Sequence, residues 1–234
     1  MKKLLSIAVA SIAVVAVADS YSPTIGVTQI STTNRNTIVA VPFTSLADGG
    51  NVSITDLVCT NGLGIGTYIY VFKDNTYKAW SLQSSGWAPV NTVDQNDTIS
   101  IPSSGDDLVA SPGAIWVILP AAPVAPESKT FCIYGQYTNV TESAVASGSN
   151  LIANPLQTDA TITLTGAPAV NDTLIIPNDG DPVSYIYTRR NKWVSGGVAN
   201  DNLSPVIKVG QGFWYIARTG SGVSKITWAA VQNN

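Results

Sequence analysis

Three tryptophans of this chain lie among polar residues, and their rings could stack on a sugar. They are Trp80, Trp87 and Trp193. An aromatic face can cover the C–H surface of a pyranose, but a tryptophan in a hairpin more often covers a core edge or pairs across strands. Trp116 and Trp214, by contrast, lie within apolar strand segments and are predicted to belong to the core. The first three are therefore the candidate ligand-binding residues.

Two charged clusters could bind a cation or an anion. Asp179 and Asp181 flank a glycine, as in an oxygen-liganded Ca²⁺ loop, but no EF-hand glutamate follows and Asx-Gly pairs are common in tight turns. Residues 105–107, Gly-Asp-Asp, are a weaker case of the same pattern. Arg189 and Arg190 could hold a carboxylate, but neighbouring strand residues face opposite ways, so a solvated hairpin tip is preferred. We predict no metal site and no cofactor.

The chain contains no histidine and two cysteines, which excludes several classes of enzyme. Ser-His-Asp and Cys-His arrangements and His-ligated zinc need imidazole, and a four-thiolate metal site needs more cysteines. A carboxylate pair for glycoside hydrolysis stays open, although beyond residue 18 the only glutamates are Glu127 and Glu142. We expect a non-catalytic protein, in which Cys59 and Cys132 form one structural disulfide.

The first residues and the composition indicate an exported protein. Two lysines precede an apolar run that ends in Ala16-Val17-Ala18, which predicts a cleaved signal peptide over residues 1–18 rather than a membrane helix. Without those lysines the chain has 10 basic and 15 acidic residues, a net charge of about −5, so it offers no basic surface for nucleic acid. We expect a secreted or cell-surface protein with no membrane anchor.

Period-two alternation predicts strands, and two halves of the chain repeat their order. Residues 161–165 alternate strictly between polar and apolar, as a strand with one buried face does. Five blocks match in order: 36–43 with 150–156, 52–55 with 160–163, 67–70 with 184–187, 111–117 with 209–215, and 130–133 with 224–227. We predict an all-β fold of two tandem, divergent β-sandwich-like modules, residues 19–140 and 150–234, joined by a small polar linker at 141–149.

This order of blocks resembles a recurrent module of uncharacterised exported proteins of verrucomicrobial bacteria. There, an opening strand ends in a proline, and a Pro-Gly-x-Gly-aromatic-Trp/Tyr motif begins a later strand. Residues 24–28 and 36–43 match the opening, and residues 210–214, Gly-Gln-Gly-Phe-Trp, match the glycine motif. Module one has Ala114 where the second glycine is expected. The resemblance implies export and a β-sandwich-like module, and it implies no activity.

Residues 24–30 precede the first module and are predicted to have no counterpart before the second. Such a strand can complete its own module or pair with a neighbouring molecule, with Ile25, Val27 or Ile30 entering a groove of the partner. We therefore expect an exported structural protein that assembles with copies of itself, as surface-layer or fibre subunits do. The alternative is a secreted carbohydrate-binding protein that uses the candidate tryptophans.

Overall fold

The computed structural model describes residues 25–32, 36–44, 51–60, 62–93, 99–109, 113–120, 129–137, 140–178, 181–200, 203 and 205–231. These residues form sheets that are antiparallel except for one short parallel pair, together with one single-turn helix, so the prediction of an all-β fold is confirmed. The predicted signal peptide lies outside the described residues. Within them, no helix has the length and apolar character that a membrane span requires.

Module one is a sandwich of two sheets. Its strands are β1 (Ile25–Thr32), β2 (Asn36–Val41), β3 (Phe43–Thr44), β4 (Val52–Ser53), β5 (Val58–Cys59), β6 (Tyr68–Lys73), β7 (Thr76–Gln83), β8 (Gly86–Pro89), β9 (Ile99–Ser100), β10 (Leu108–Val109), β11 (Gly113–Ile118) and β12 (Lys129–Tyr137). Sheet 1a has the order β1-β12-β3, and β5 also pairs with β12. Sheet 1b has the order β2-β11-β6-β7-β8, with β9 on β7, while β4 and β10 form a separate pair.

The core of module one lies between sheets 1a and 1b. Alternation along β11 turns Ile115 and Val117 into this core and Trp116 away from it. On β12, Phe131 and Ile133 face the core from the other side. β11 and β12 therefore each turn one face to the core, and the outward face of sheet 1b is available for other contacts.

Module two is built from a second pair of sheets. Its strands are β13 (Glu142–Ala144), β14 (Gly148–Ala153), β15 (Ala160–Thr165), β16 (Thr173–Ile176), β17 (Val183–Tyr187), β18 (Trp193–Ser195), β19 (Val198–Asn200), β20 (Val206–Ile207), β21 (Gly212–Ala217) and β22 (Lys225–Ala230). Sheet 2a has the order β13-β22-β15-β20, and sheet 2b has the order β14-β21-β16-β17-β18-β19. Its core again lies between the sheets, with Leu174, Phe213, Tyr215 and Ile226 fully buried.

Sheets 1b and 2b share one strand order, since β2-β11-β6-β7-β8 corresponds to β14-β21-β16-β17-β18. This corrects one of the block matches. By position in the sheet, residues 67–70 correspond to 172–175 at β16, whereas residues 184–187 lie in β17, the counterpart of β7. The backbone agrees, because Leu82 N donates to Thr67 O and Tyr187 N donates to Asp172 O, at 2.8 and 2.9 Å. The match by sequence followed a Tyr-Ile-Tyr pattern that occurs on non-equivalent strands.

A helical turn interrupts one strand of module one. β15 pairs with β20 through its first two residues and with β22 along its whole length. In module one, two short strands replace this single strand: β4 pairs with β10, and β5 pairs with β12. The turn α1 (Ile54–Leu57) separates β4 from β5. A single turn is not stable by itself. In this protein the fully buried side chain of Ile54 packs in the core of module one and stabilises the turn α1.

The segment expected to be a linker contains structure. β13 pairs with β22, and β14 begins at Gly148. Since β1 pairs with β12 in the same way, the expectation that β1 has no counterpart was wrong. The counterpart was missed because Glu142-Ser143-Ala144 is too short and too polar to show apolar alternation.

Sheets 1b and 2b pack on each other at the junction between the modules. Ala40, Ala114 and Ala153 are buried there, and the main-chain nitrogen of Ala40 donates to Gly210 O at 2.9 Å. A Cβ added at Gly212 would overlap Cγ2 of Ile38, so only glycine permits this approach. The junction is therefore close-packed through small residues.

Candidate functional surfaces

Five aromatic side chains on the outward face of sheet 1b and one from sheet 2b form a connected surface. They belong to β6, β7, β11 and β21, and we call them the aromatic surface: Tyr68, Tyr70, Phe72, Tyr77, Trp116 and Trp214. Tyr77 is central, with ring centroids 5.7 Å from Tyr70 and 5.5 Å from Trp116. Five of the rings are half-buried, and Tyr68 is exposed. The surface thus joins both modules and opens to solvent at one end.

Burial raises the pKa of two phenols of this surface, those of Tyr70 and Tyr77. It raises the pKa of Tyr77 to about 12. Burial, with a smaller contribution from the charge of Tyr68, also raises the pKa of Tyr70. Both hydroxyl groups therefore remain neutral hydrogen-bond donors throughout the physiological pH range.

The candidate tryptophans do not form this surface. Trp80 is 5% exposed and Trp193 is 4% exposed, and each packs in the core of its own module. Trp87 is half-buried against the core of module one. The prediction that Trp80 and Trp193 form an accessible platform was wrong, because polar neighbours in a strand point to the opposite face and do not report on the tryptophan itself.

The assignment of Trp116 and Trp214 to the core also needs correction. Both are half-buried and pack at the junction rather than inside either sandwich. The sequence signal for this surface was the run Tyr68-Ile69-Tyr70-Val71-Phe72, which is apolar or aromatic on both faces of one strand. A strand with two such faces has a second face to cover, beyond the one committed to its own core.

A second candidate surface is the free edge of β1. All eight residues of β1 pair with β12 in an unbroken antiparallel register, from Ile25 opposite Gln136 to Thr32 opposite Lys129. No other described strand pairs with β1. Val27 is 64% exposed, whereas Ile30 packs against the core and cannot be an anchor for a partner as expected. The side chain of Ile25 lies outside the described part of the chain.

Cys59 and Cys132 lie directly opposite each other in the β5–β12 pair. The predicted disulfide is not formed in the structure, where Cys132 is a free thiol. Directly opposed residues of an antiparallel pair have Cα atoms about 4.5–5.5 Å apart, a separation that disulfides span. The backbone therefore permits the bond without a change of register.

Two of the acidic residues, Asp106 and Glu142, form ion pairs with lysines. Asp106 is buried and forms ion pairs with Lys73 and Lys78 at 3.1 and 3.3 Å, so lysines already compensate its charge. Glu142 pairs with Lys225 at 2.8 Å. Asp179 and Glu127 lie outside the described residues. In the described part of the chain, no group of three potential metal ligands occurs.

Arg189 and Arg190 are exposed in the turn between β17 and β18, as the hairpin interpretation expected. The main chain and hydroxyl of Thr188 both donate to Lys192 O, which holds the turn closed. We find no hydrogen bond or ion pair of either arginine within the described residues. The turn is a solvated tip.

Asp172 is a fully buried carboxylate that the sequence did not single out. Its oxygens accept hydrogen bonds from Tyr215 Oη, Ser221 Oγ and Arg218 N at 2.9, 2.7 and 2.7 Å, and from Ala169 N at 3.1 Å. Burial first, and then the carboxylate of Asp172, raise the pKa of Tyr215, so the phenol stays a donor. The carboxylate is fully buried and all four of its hydrogen-bond donors belong to module two, which identifies Asp172 as structural.

Comparison with protein-family models, with curated proteins and with solved structures finds no match to this chain.

Proposed function

We propose that this chain is an exported, non-catalytic structural protein that assembles with copies of itself by strand addition at β1. The observation that carries the proposal is the free edge of β1. It extends over eight residues in continuous register and contains neither a charged residue nor a proline. Backbone N–H and C=O groups of such an edge can pair with a strand of another molecule.

Three of the other described edges are protected in ways that β1 is not. β13 is three residues long and carries the Glu142–Lys225 ion pair. β19 is also three residues long, and β8 ends in Pro89. Short length, charge and proline are the means by which monomeric proteins block edge-to-edge pairing. β1 has none of these three features, which supports its use for pairing with another molecule.

A lysine on β1 tests the proposal. Val27→Lys places a charge at an exposed position, so the fold should be unaffected while pairing of a second strand becomes unfavourable. Val198→Lys is the matched control, because Val198 has the same 64% exposure and lies on the short edge strand β19. Size-exclusion chromatography with light scattering should show large species for the wild type and for Val198→Lys, and monomers for Val27→Lys.

Two results would contradict the proposal. One is a wild-type protein, without residues 1–18, that stays monomeric as its concentration is raised. The other is assembly that both lysine variants leave intact. Deletion of β1 is a poorer test, because Ile30 packs against the core and its loss would destabilise module one directly.

Export and the disulfide belong to the same proposal. A secreted protein beginning at Asp19, measured by intact mass, would support cleavage after Ala18. In an oxidising compartment Cys59 and Cys132 would form a disulfide, since they are directly opposed in the β5–β12 pair, at a Cα separation that a disulfide can span. The bond would fasten β5 to β12, the strand that carries β1.

A further inference from the structure

The aromatic surface is packed against module two at one end and is exposed to solvent at the other. At the junction, Trp214 packs edge-on against Phe72, with ring centroids 5.0 Å apart. At the open end, Tyr68 is 37% exposed and lies beside Tyr70, with centroids 6.2 Å apart and planes inclined by 33°. Tyr70 is in turn packed against Tyr77 and Trp116, so Tyr68 and Tyr70 form a pair of rings supported by the rest of the aromatic surface.

Neutral hydrogen-bonding groups border the exposed ring. Ser81 lies opposite Tyr68 in the register of β6 and β7, and Gln83 is the next outward residue on β7. The amide nitrogen of Gln83 donates to Ser81 Oγ at 3.5 Å, a long bond that leaves the exposed amide available. An aromatic face bordered by an amide and a hydroxyl can stack on C–H groups and bond hydroxyls at the same time.

Charge selects the class of ligand. The outward positions of β6 and β7 up to Ser81 hold four aromatic residues, an alanine and a serine, and none is charged: Tyr68, Tyr70, Phe72, Tyr77, Ala79 and Ser81. A phosphate or an acidic polymer would find no cation among these six positions. A neutral ligand with both C–H faces and hydroxyl groups is complementary to it.

We propose that Tyr68, Tyr70, Ser81 and Gln83 form a binding site for the neutral sugar units of a polysaccharide. This function is additional to assembly through β1, because β1 belongs to sheet 1a, on the far side of the core of module one. The site is also separate from the buried Trp80 and Trp193.

Substitution of the exposed ring tests this site. Wild-type protein, Tyr68→Ala, Tyr68→Phe and Gln83→Ala are titrated calorimetrically with cellohexaose, chitohexaose, laminarihexaose and mannohexaose. Tyr134→Ala is the matched control, since Tyr134 is a half-buried tyrosine on the outward face of sheet 1a. The wild type should bind at least one of these sugars. Tyr68→Ala should bind it about tenfold more weakly or worse, the effect of removing an aromatic anchor.

The other variants separate stacking from general damage. Tyr68→Phe should keep most of the affinity because the ring is retained, Gln83→Ala should lose part of it, and Tyr134→Ala should match the wild type. Absence of binding to all four sugars, or equal binding by Tyr68→Ala, would overturn the proposal. So would a loss of self-association, rather than of sugar binding, in Tyr68→Ala. Val27→Lys should still bind sugar, so failure of the assembly proposal would be seen separately.

Discussion

Replacement of Asp172 by asparagine should destabilise module two strongly, although it removes no volume. The carboxylate accepts four hydrogen bonds in a fully buried position. In the amide, Oδ1 can still accept from Arg218 N. The NH₂ group would then face Tyr215 Oη and Ser221 Oγ, which can rotate, and Ala169 N, which cannot. Three charge-assisted bonds are weakened or lost, at about 1.5–3 kcal/mol each before relaxation.

We therefore expect a loss of about 3 kcal/mol in the free energy of unfolding, because the two hydroxyls recover part of the cost by rotating. With a urea m-value of about 2 kcal/mol/M, the midpoint should fall by about 1.5 M. Thr67 provides a matched comparison, since it occupies the equivalent buried position in module one and its hydroxyl donates one bond, to Gly64 O at 2.7 Å. Thr67→Val should cost about 1 kcal/mol.

Urea denaturation followed by circular dichroism measures both variants. A value for Asp172→Asn within about 0.5 kcal/mol of the wild type, the usual range for surface substitutions, would refute the reasoning. A cost for Thr67→Val as large as that for Asp172→Asn would also refute it, because burial alone would then explain both losses.

Two further predictions concern module one. Non-reducing peptide mapping of the secreted protein should recover Cys59 linked to Cys132, and reduction should lower its stability by up to about 4 kcal/mol; two free thiols would contradict this. Hydrogen bonds from Ser103, followed by Lys73 and Lys78, hold the pKa of Asp106 well below its ordinary value of 3.8. Its ionised form therefore stabilises the fold above the unfolded-state pKa, and the contribution fades as the pH falls below about 5. Melting curves from pH 7 to pH 2 should show Asp106→Asn less stable at pH 7, with the difference shrinking in acid.

Local alternation predicted the class of fold well. Residues 161–165 alternate between core-facing and outward positions, as their sequence indicates. Apolar alternation could not find β13, which has three residues, or the turn α1, which is held by Ile54 in the core. Short elements have too few side chains to show a period, and tertiary contacts decide their conformation.

The candidate site was harder to predict, since sequence neighbours in a strand lie on opposite faces. Polar residues around Trp80 and Trp193 suggested exposure, yet both rings point into a core. Apolar residues around Trp116 suggested burial, yet its ring lies at the junction and is half-buried. The local pattern determines which residues share a face, and it leaves open what each face packs against.

By itself the sequence determined an all-β chain, and it excluded imidazole chemistry because the chain has no histidine. Only the tertiary structure decided that sheet 1b packs against sheet 2b, that Phe72 and Tyr77 of module one contact Trp214 of module two there, and that β1 keeps a free edge. The physical reason is the range of the interactions involved. Alternation is set by the geometry of adjacent residues, whereas Phe72 and Trp214 are brought together across the chain by packing between modules.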